Sequence, residues 1–203
     1  MSFLNKLANL VILNFCFLVC SIFVIPFGAA LTALYSVNLR MVRDEEAAYV
    51  FRSYWKAFCK NFRQSTICWF FMAAAGAILY LDIRAAGMLS GTVGFFVQIM
   101  TIVFIVCYAI LFLYVFPYIG WFEDRLFTCM KNAFIIGGIR IGYTVTMLLI
   151  AIAVFMISVF DAEVMLRTLI LWIVFGFALL NYIQCMFLRR VFSKYEKTSK
   201  MYK

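Results

Sequence analysis

Residues 93–117 read VGFFVQIMTIVFIVCYAILFLYVFP, twenty-five positions without one charged side chain. A helix needs about 20 consecutive apolar residues to cross the hydrocarbon core of a bilayer. This stretch therefore predicts a transmembrane helix. Four further stretches, 8–28, 66–82, 141–160 and 168–188, have the same character. The expected fold is an all-α polytopic membrane protein with about five transmembrane helices. Composition agrees: 67% of the 203 residues are hydrophobic, and mean hydropathy is +1.02. A soluble domain is roughly 45–50% apolar, and a fold of this size could not bury the excess.

The expected organisation is a single transmembrane domain over 1–190, followed by a basic tail over 191–203. The first run carries Lys6 as its only basic residue before Pro26, no A-x-A-like site follows, and apolar residues continue beyond it. It reads as a retained first span, not a signal peptide. Pro26 removes a helix hydrogen bond, so a break is expected at Pro26 and Gly28. That break is either a kink within one span or a re-entrant hairpin. Pro117 marks a second expected break, at the end of the third span.

Charge orients the spans. Arg40, Arg43, Arg52, Lys56, Lys60 and Arg63 follow the first span, Arg125, Lys131 and Arg140 follow the third, and the tail holds six more. Fifteen of the eighteen basic residues thus fall on one side, leaving Lys6, Arg84 and Arg167 on the other. Basic residues mark the cytoplasmic side. The expected arrangement has the N-terminus outside and the C-terminus cytoplasmic.

Between the first two spans lies RSYWKAFCKNFRQST, residues 52–66. On a helix of about 100° per residue, Phe51, Tyr54, Trp55, Phe58 and Phe62 share one face. Arg52, Lys56, Lys60 and Arg63 form an adjacent basic face. This pattern predicts an interfacial amphipathic helix in the headgroup plane, drawn to anionic lipid. The alternative is a helix that docks a partner. Asp44-Glu45-Glu46 is expected to start it, because acids favour a helix N-terminus. Nucleic-acid binding is not expected, since the aromatic face would be taken by the membrane.

Two motif pairs suggest a parallel repeat of 8–82 and 93–160, with the fifth span 168–188 outside it. Val24-Ile25-Pro26-Phe27-Gly28 matches Val115-Phe116-Pro117-Tyr118-Ile119-Gly120. Cys59-Lys60-Asn61-Phe62 matches Cys129-Met130-Lys131-Asn132-Ala133-Phe134. In the second unit, Ile119, Phe122, Leu126, Cys129 and Ala133 give the corresponding amphipathic period. Convergence at two equivalent membrane boundaries explains the motifs equally well.

The chain holds no histidine, and none of its seven cysteines forms a CxxC pair, so no metal site or cofactor is expected. No nucleophile–base pair or phosphate-binding loop is legible, so enzymatic activity is not expected. All charges lie at span ends, and inside the spans only neutral polar residues occur, among them Asn14, Gln98, Thr101, Thr144, Thr146, Ser158, Asn181 and Gln184. Such groups commonly bond one helix to another; Gln98 or Asn181 lining a polar path is the alternative. Ala73-Ala74-Ala75-Gly76 and Gly137-Gly138 would permit close helix approach.

Residues 25–71, IPFGAALTALYSVNLRMVRDEEAAYVFRSYWKAFCKNFRQSTICWFF, resemble the YesL-like family of bacterial membrane proteins. The likeness rests on the proline–glycine break, Ala33-Leu34-Tyr35, Arg43 before Glu45-Glu46, Tyr54-Trp55-Lys56, Asn61-Phe62 and Arg63-Gln64. The resemblance implies a multi-pass protein of the bacterial plasma membrane, of a family often encoded beside carbohydrate ABC importers. It implies no reaction. The resulting expectation is a non-enzymatic accessory subunit that associates with the permease subunits of such an importer. A small transporter or channel acting as a homo-oligomer is the alternative.

Overall fold

The computed structural model describes residues 3–43, 49–88, 91–122, 124–159 and 162–201. Among them every regular element is helical: α1 (Phe3–Ser21), α2 (Phe27–Val42), α3 (Val50–Ala86), α4 (Gly91–Trp121), α5 (Leu126–Ile139), α6 (Ile141–Val159), α7 (Ala162–Leu171) and α8 (Phe177–Met201). A π-helical turn, Trp172–Gly176, joins α7 to α8. Five stretches are long and apolar enough to cross a membrane: Leu4–Ser21, Val50–Ala86, Gly91–Trp121, Ile141–Ser158 and Met165–Glu196. The chain is an all-α polytopic membrane protein. Asp44, Glu45, Glu46 and Asp161 lie outside the described residues.

The first expected span divides in two. α1 stops at Ser21, and Pro26 takes the N-cap position of α2. Proline is tolerated at a helix start because its missing N–H would have no intrahelical partner there. The chain changes direction at this point. The rings of Phe17 and Phe27 lie 6.0 Å apart, whereas ten residues of unbroken helix would separate their backbones by about 15 Å. A kinked single helix is therefore replaced by two helices and a turn.

α2 is the centre of the molecule: thirteen of its sixteen residues are buried. It packs on α1, α3, α4 and α8. Small residues make this possible. A Cβ on Gly28 would lie 2.5 Å from the Ser65 carbonyl oxygen of α3 and 2.7 Å from Trp69 Cβ; one on Gly120 of α4 would lie 3.2 Å from the Thr32 carbonyl oxygen. Gly28 thus serves close approach, not the break itself.

Polar side chains of α2 then bond across those interfaces. Ser65 Oγ donates to Thr32 Oγ1 at 2.9 Å, and Tyr35 Oη donates to Gln184 Oε1 at 2.6 Å. Asn38 Nδ2 donates to Asn181 Oδ1 at 2.8 Å and to the Ala178 carbonyl at 3.2 Å. Each such bond contributes about 0.6 kcal/mol on average inside a membrane protein.

Three other expectations change. The expected interfacial helix over 51–63 is the first part of the 37-residue α3, continuous with the second span. No glycine or proline stands between Val50 and Ala75, so nothing there ends a helix or bends it sharply into the headgroup plane. Pro117 lies inside α4, which continues to Trp121. The two proline motifs therefore occupy different positions, one opening α2 and the other within α4. The fifth span belongs to a longer helical run, Ala162–Met201, interrupted only by the π turn.

That turn has a specific partner. The buried Asn14 of α1 donates to the carbonyls of Trp172 and Ile173 at 3.0 and 2.7 Å, and its Oδ1 accepts the Ala178 N–H at 3.0 Å. A π turn frees backbone groups from the i→i−4 ladder, and one amide side chain satisfies three of them.

Gly28→Ala is expected to destabilise the protein by about 1–3 kcal/mol, because its Cβ meets backbone that cannot swing aside. Gly142→Ala, where a Cβ would meet nothing within 4 Å, should change stability by less than about 1 kcal/mol. Thermal unfolding of the purified variants in detergent measures both.

Candidate functional site

The basic part of α3 distributes its predicted residues among three environments. Tyr54 and Phe58 are 1% and 8% exposed and belong to the core around α2. Tyr54 Oη donates to the Ala30 carbonyl at 3.2 Å. Phe51, Trp55 and Phe62 are 64%, 51% and 41% exposed. At about 100° per residue these three lie within roughly 40° of one another, forming a narrow ridge. Trp55 stacks on Phe58 at 5.4 Å, and Phe58 meets Phe62 edge-on at the same distance. The buried ring thus props up the exposed ones. The predicted single aromatic face is split because α2 covers one side of it.

Phe51 and Trp55 also wall an apolar groove of about 420 Å³, whose opposite wall is Val11, Ile12, Phe15 and Val19 of α1. The side chains on both walls are apolar, which suits hydrocarbon or the apolar face of another helix.

The basic residues divide as well. Arg52 and Arg63 are exposed. Lys56 and Lys60, also exposed, line a cavity of about 290 Å³ together with Arg40 and Arg43 at the end of α2. Ser36, Ser53 and Asn61 add polar groups, and Gly120, Trp121 and Phe122 close it from the α4 side. The Arg43 guanidinium lies 3.5 Å from the centroid of a Trp121 ring, a cation–π contact that fixes one wall. Ser36, Ser53 and Trp121 were not among the residues singled out from sequence, and Arg40 and Arg43 entered there only as markers of orientation and, for Arg43, of the family resemblance. The available signal was the three-residue spacing of Arg40 and Arg43 at the end of an apolar run.

Beyond the cavity, the turn from α4 to α5 is tied to α3. Gln64 Nε2 donates to the Asp124 carbonyl at 2.9 Å and contacts Cys129 Sγ at 3.3 Å. Tyr118 Oη donates to Asp124 Oδ2 at 2.7 Å and accepts from Asn132 Nδ2 at 2.8 Å. Burial, and then the nearby Asp124 carboxylate, push the Cys129 thiol up to about 11. Among the described residues no group of three His, Cys, Asp or Glu side chains could hold a metal ion.

The polar residues expected within the spans mostly join helices. Asn14, Asn181 and Gln184 bond as described above, and Tyr114 and Thr144 share a 3.0 Å hydrogen bond between α4 and α6. Gln98 reaches the Ala86 carbonyl of α3 at 3.5 Å. Of the expected small-residue contacts, Gly137 meets Ile110 and Tyr114, and Gly76 meets Tyr108, while Gly138 faces open space.

A family model described as "Protein of unknown function, DUF624" matches residues 10–83, which takes in most of α1, all of α2 and nearly all of α3. That family includes the YesL-like proteins. No curated protein and no solved structure matches the chain.

Thiol reactivity tests this description of the site. The thiolate is the reacting form, and a raised pKa leaves Cys129 protonated near neutrality. Exposed Cys59 should react with a maleimide at pH 7.5 more than about a hundredfold faster than Cys129. The Cys129 rate should climb as pH approaches 11. Mass spectrometry of labelled peptides reads both rates; comparable labelling of the two at pH 7.5 would contradict the packing around Cys129.

Proposed function

We propose that the chain is a non-enzymatic accessory subunit of the bacterial plasma membrane that docks the permease subunits of a carbohydrate ABC importer. The observation that supports docking is the exposed ridge of Phe51, Trp55 and Phe62, set beside the apolar α1–α3 groove. Large rigid rings carry most of the energy at interfaces, and an amphipathic or transmembrane helix laid in a groove uses such anchors. The sugar importer as the partner follows from the resemblance of residues 25–71, not from the groove.

The length of α3 adds a geometric reason. Thirty-seven residues span about 56 Å at 1.5 Å per residue, against a hydrocarbon core of about 30 Å. The Val50–Arg63 end is thereby free to reach the membrane face, where a partner subunit and anionic headgroups are both available. In this reading that end is cytoplasmic and the N-terminus is outside, following the distribution of basic residues. Cys59 would then react with a membrane-impermeant maleimide in inside-out vesicles only.

A small transporter or channel, acting as an oligomer, is the second reading. We place it second because the two candidates for a polar path are engaged with other helices, Asn181 with Asn38 and Gln98 with the Ala86 carbonyl.

Affinity purification at native expression in mild detergent is expected to recover permease and ATPase subunits. Phe51→Ala and Trp55→Ala should each reduce that recovery by at least about tenfold, on the scale of an interface hot spot. Arg52→Gln and Arg63→Gln should do much less. Phe58→Ala does not discriminate, because Phe58 is in the core. Recovery of the protein alone, or equal small effects of all four variants, would contradict the proposal.

A further inference from the structure

The positive-inside distribution asks only that cations lie on one side of the membrane; it does not ask them to converge on a hollow. Yet Arg40 and Arg43, one turn apart at the end of α2, and Lys56 and Lys60, one turn apart on α3, line a single cavity. Its volume of about 290 Å³ is on the order of twenty times what one water molecule requires, enough for a multi-atom solute. The described residues that line it include no carboxylate. Ser36 of α2 and Ser53 of α3 add hydroxyls to the lining, and Asn61 adds an amide that also donates to the Ala57 carbonyl at 3.1 Å. Arg40 and Lys56, both exposed, bring positive charge to this concave surface, and a concave wall focuses the potential they create. An anion is drawn to such a surface.

From this arrangement we infer that the cavity between α2, α3 and the end of α4 binds a phosphate group, as a phosphomonoester or phosphodiester. Phosphate suits the donor set: arginine presents a planar fork to two of its oxygens, lysine adds a point charge, and hydroxyls complete the shell. Arg43 is committed to the Trp121 face. Arg40 and Lys56, both exposed at the rim, are therefore the donors on which the assignment rests. The phosphate could be that of an anionic lipid headgroup or that of a soluble solute, and the cavity chemistry is the same for both. The inference does not depend on the docking role proposed above, since the aromatic ridge and the α1 groove are lined by different side chains.

The test uses the full chain and two probes. The first is radiolabelled inorganic phosphate, measured by equilibrium dialysis against protein in nanodiscs of phosphatidylcholine at constant ionic strength. The second is phosphatidylglycerol, measured as lipid retained in native mass spectra after extraction from vesicles of phosphatidylcholine with a minority of phosphatidylglycerol. Arg40→Gln and Lys56→Gln are each expected to weaken whichever probe binds by about tenfold or more, the loss typical of a charge-assisted hydrogen bond. Arg52→Gln and Arg63→Gln, outside the cavity, should leave binding within about twofold of the unaltered protein. Unchanged thermal unfolding establishes that each variant is folded, and either cavity variant alone suffices. Saturable phosphate binding with this pattern supports the site and assigns it a soluble ligand. Selective phosphatidylglycerol retention with the same pattern supports it and assigns a lipid. Retention of neither probe, or equal weakening by all four variants, overturns it.

Discussion

The structure depends on a helix that is buried among other helices while carrying polar side chains. α2 has Thr32, Ser36 and Asn38 along a run whose other residues, Arg40 apart, are apolar or glycine. A hydroxyl or amide without a partner in an apolar surround costs about 1–3 kcal/mol. Thr32, Tyr35 and Asn38 each find a side-chain partner on α3 or α8. These bonds have directions, unlike dispersion contacts, so they fix the rotation of α2 about its own axis. Once that rotation is set, Gly28 faces α3 and Arg40 and Arg43 face the cavity.

Away from α2 the molecule opens. Residues 102–106 of α4 are all exposed, although five consecutive positions cover every side of a helix. Much of α6 and the outer part of α3 are similarly uncovered. In water such surfaces would collapse together, but between lipid tails there is no hydrophobic force to draw them in. The packed region therefore coincides with the end where α2, the basic half of α3, the end of α4 and α8 meet. The candidate site lies there because rigid scaffolding is available only there.

How much was legible follows from which physical signals act along the chain. The five spans were, because a bilayer sets a minimum length for an apolar run and Val93–Pro117 meets it without reference to any neighbour. α2 was not, since its sixteen residues merge with the preceding span in any hydropathy reading and only the Pro26 turn separates them. Neither the partnership of Asn14 with the π turn nor that of Asn38 with Asn181 could be read, because both join residues more than 140 positions apart. At the candidate site, periodicity placed Phe51, Tyr54, Trp55, Phe58 and Phe62 on one side of a helix. It could not tell which of them α2 would cover. The cavity was invisible for the same reason, as half of its cations belong to α2.

The central claim is that directional bonds from α2 hold the bundle in register, and the Asn38–Asn181 pair tests it most directly. A double-mutant cycle with Asn38→Ala and Asn181→Ala, read by unfolding in detergent, isolates their coupling. The predicted coupling is about 0.6 kcal/mol and at most about 1.7 kcal/mol, with each single substitution destabilising. Zero coupling, with both single substitutions neutral, would mean that the two amides do not meet and that α2 is held by apolar packing alone.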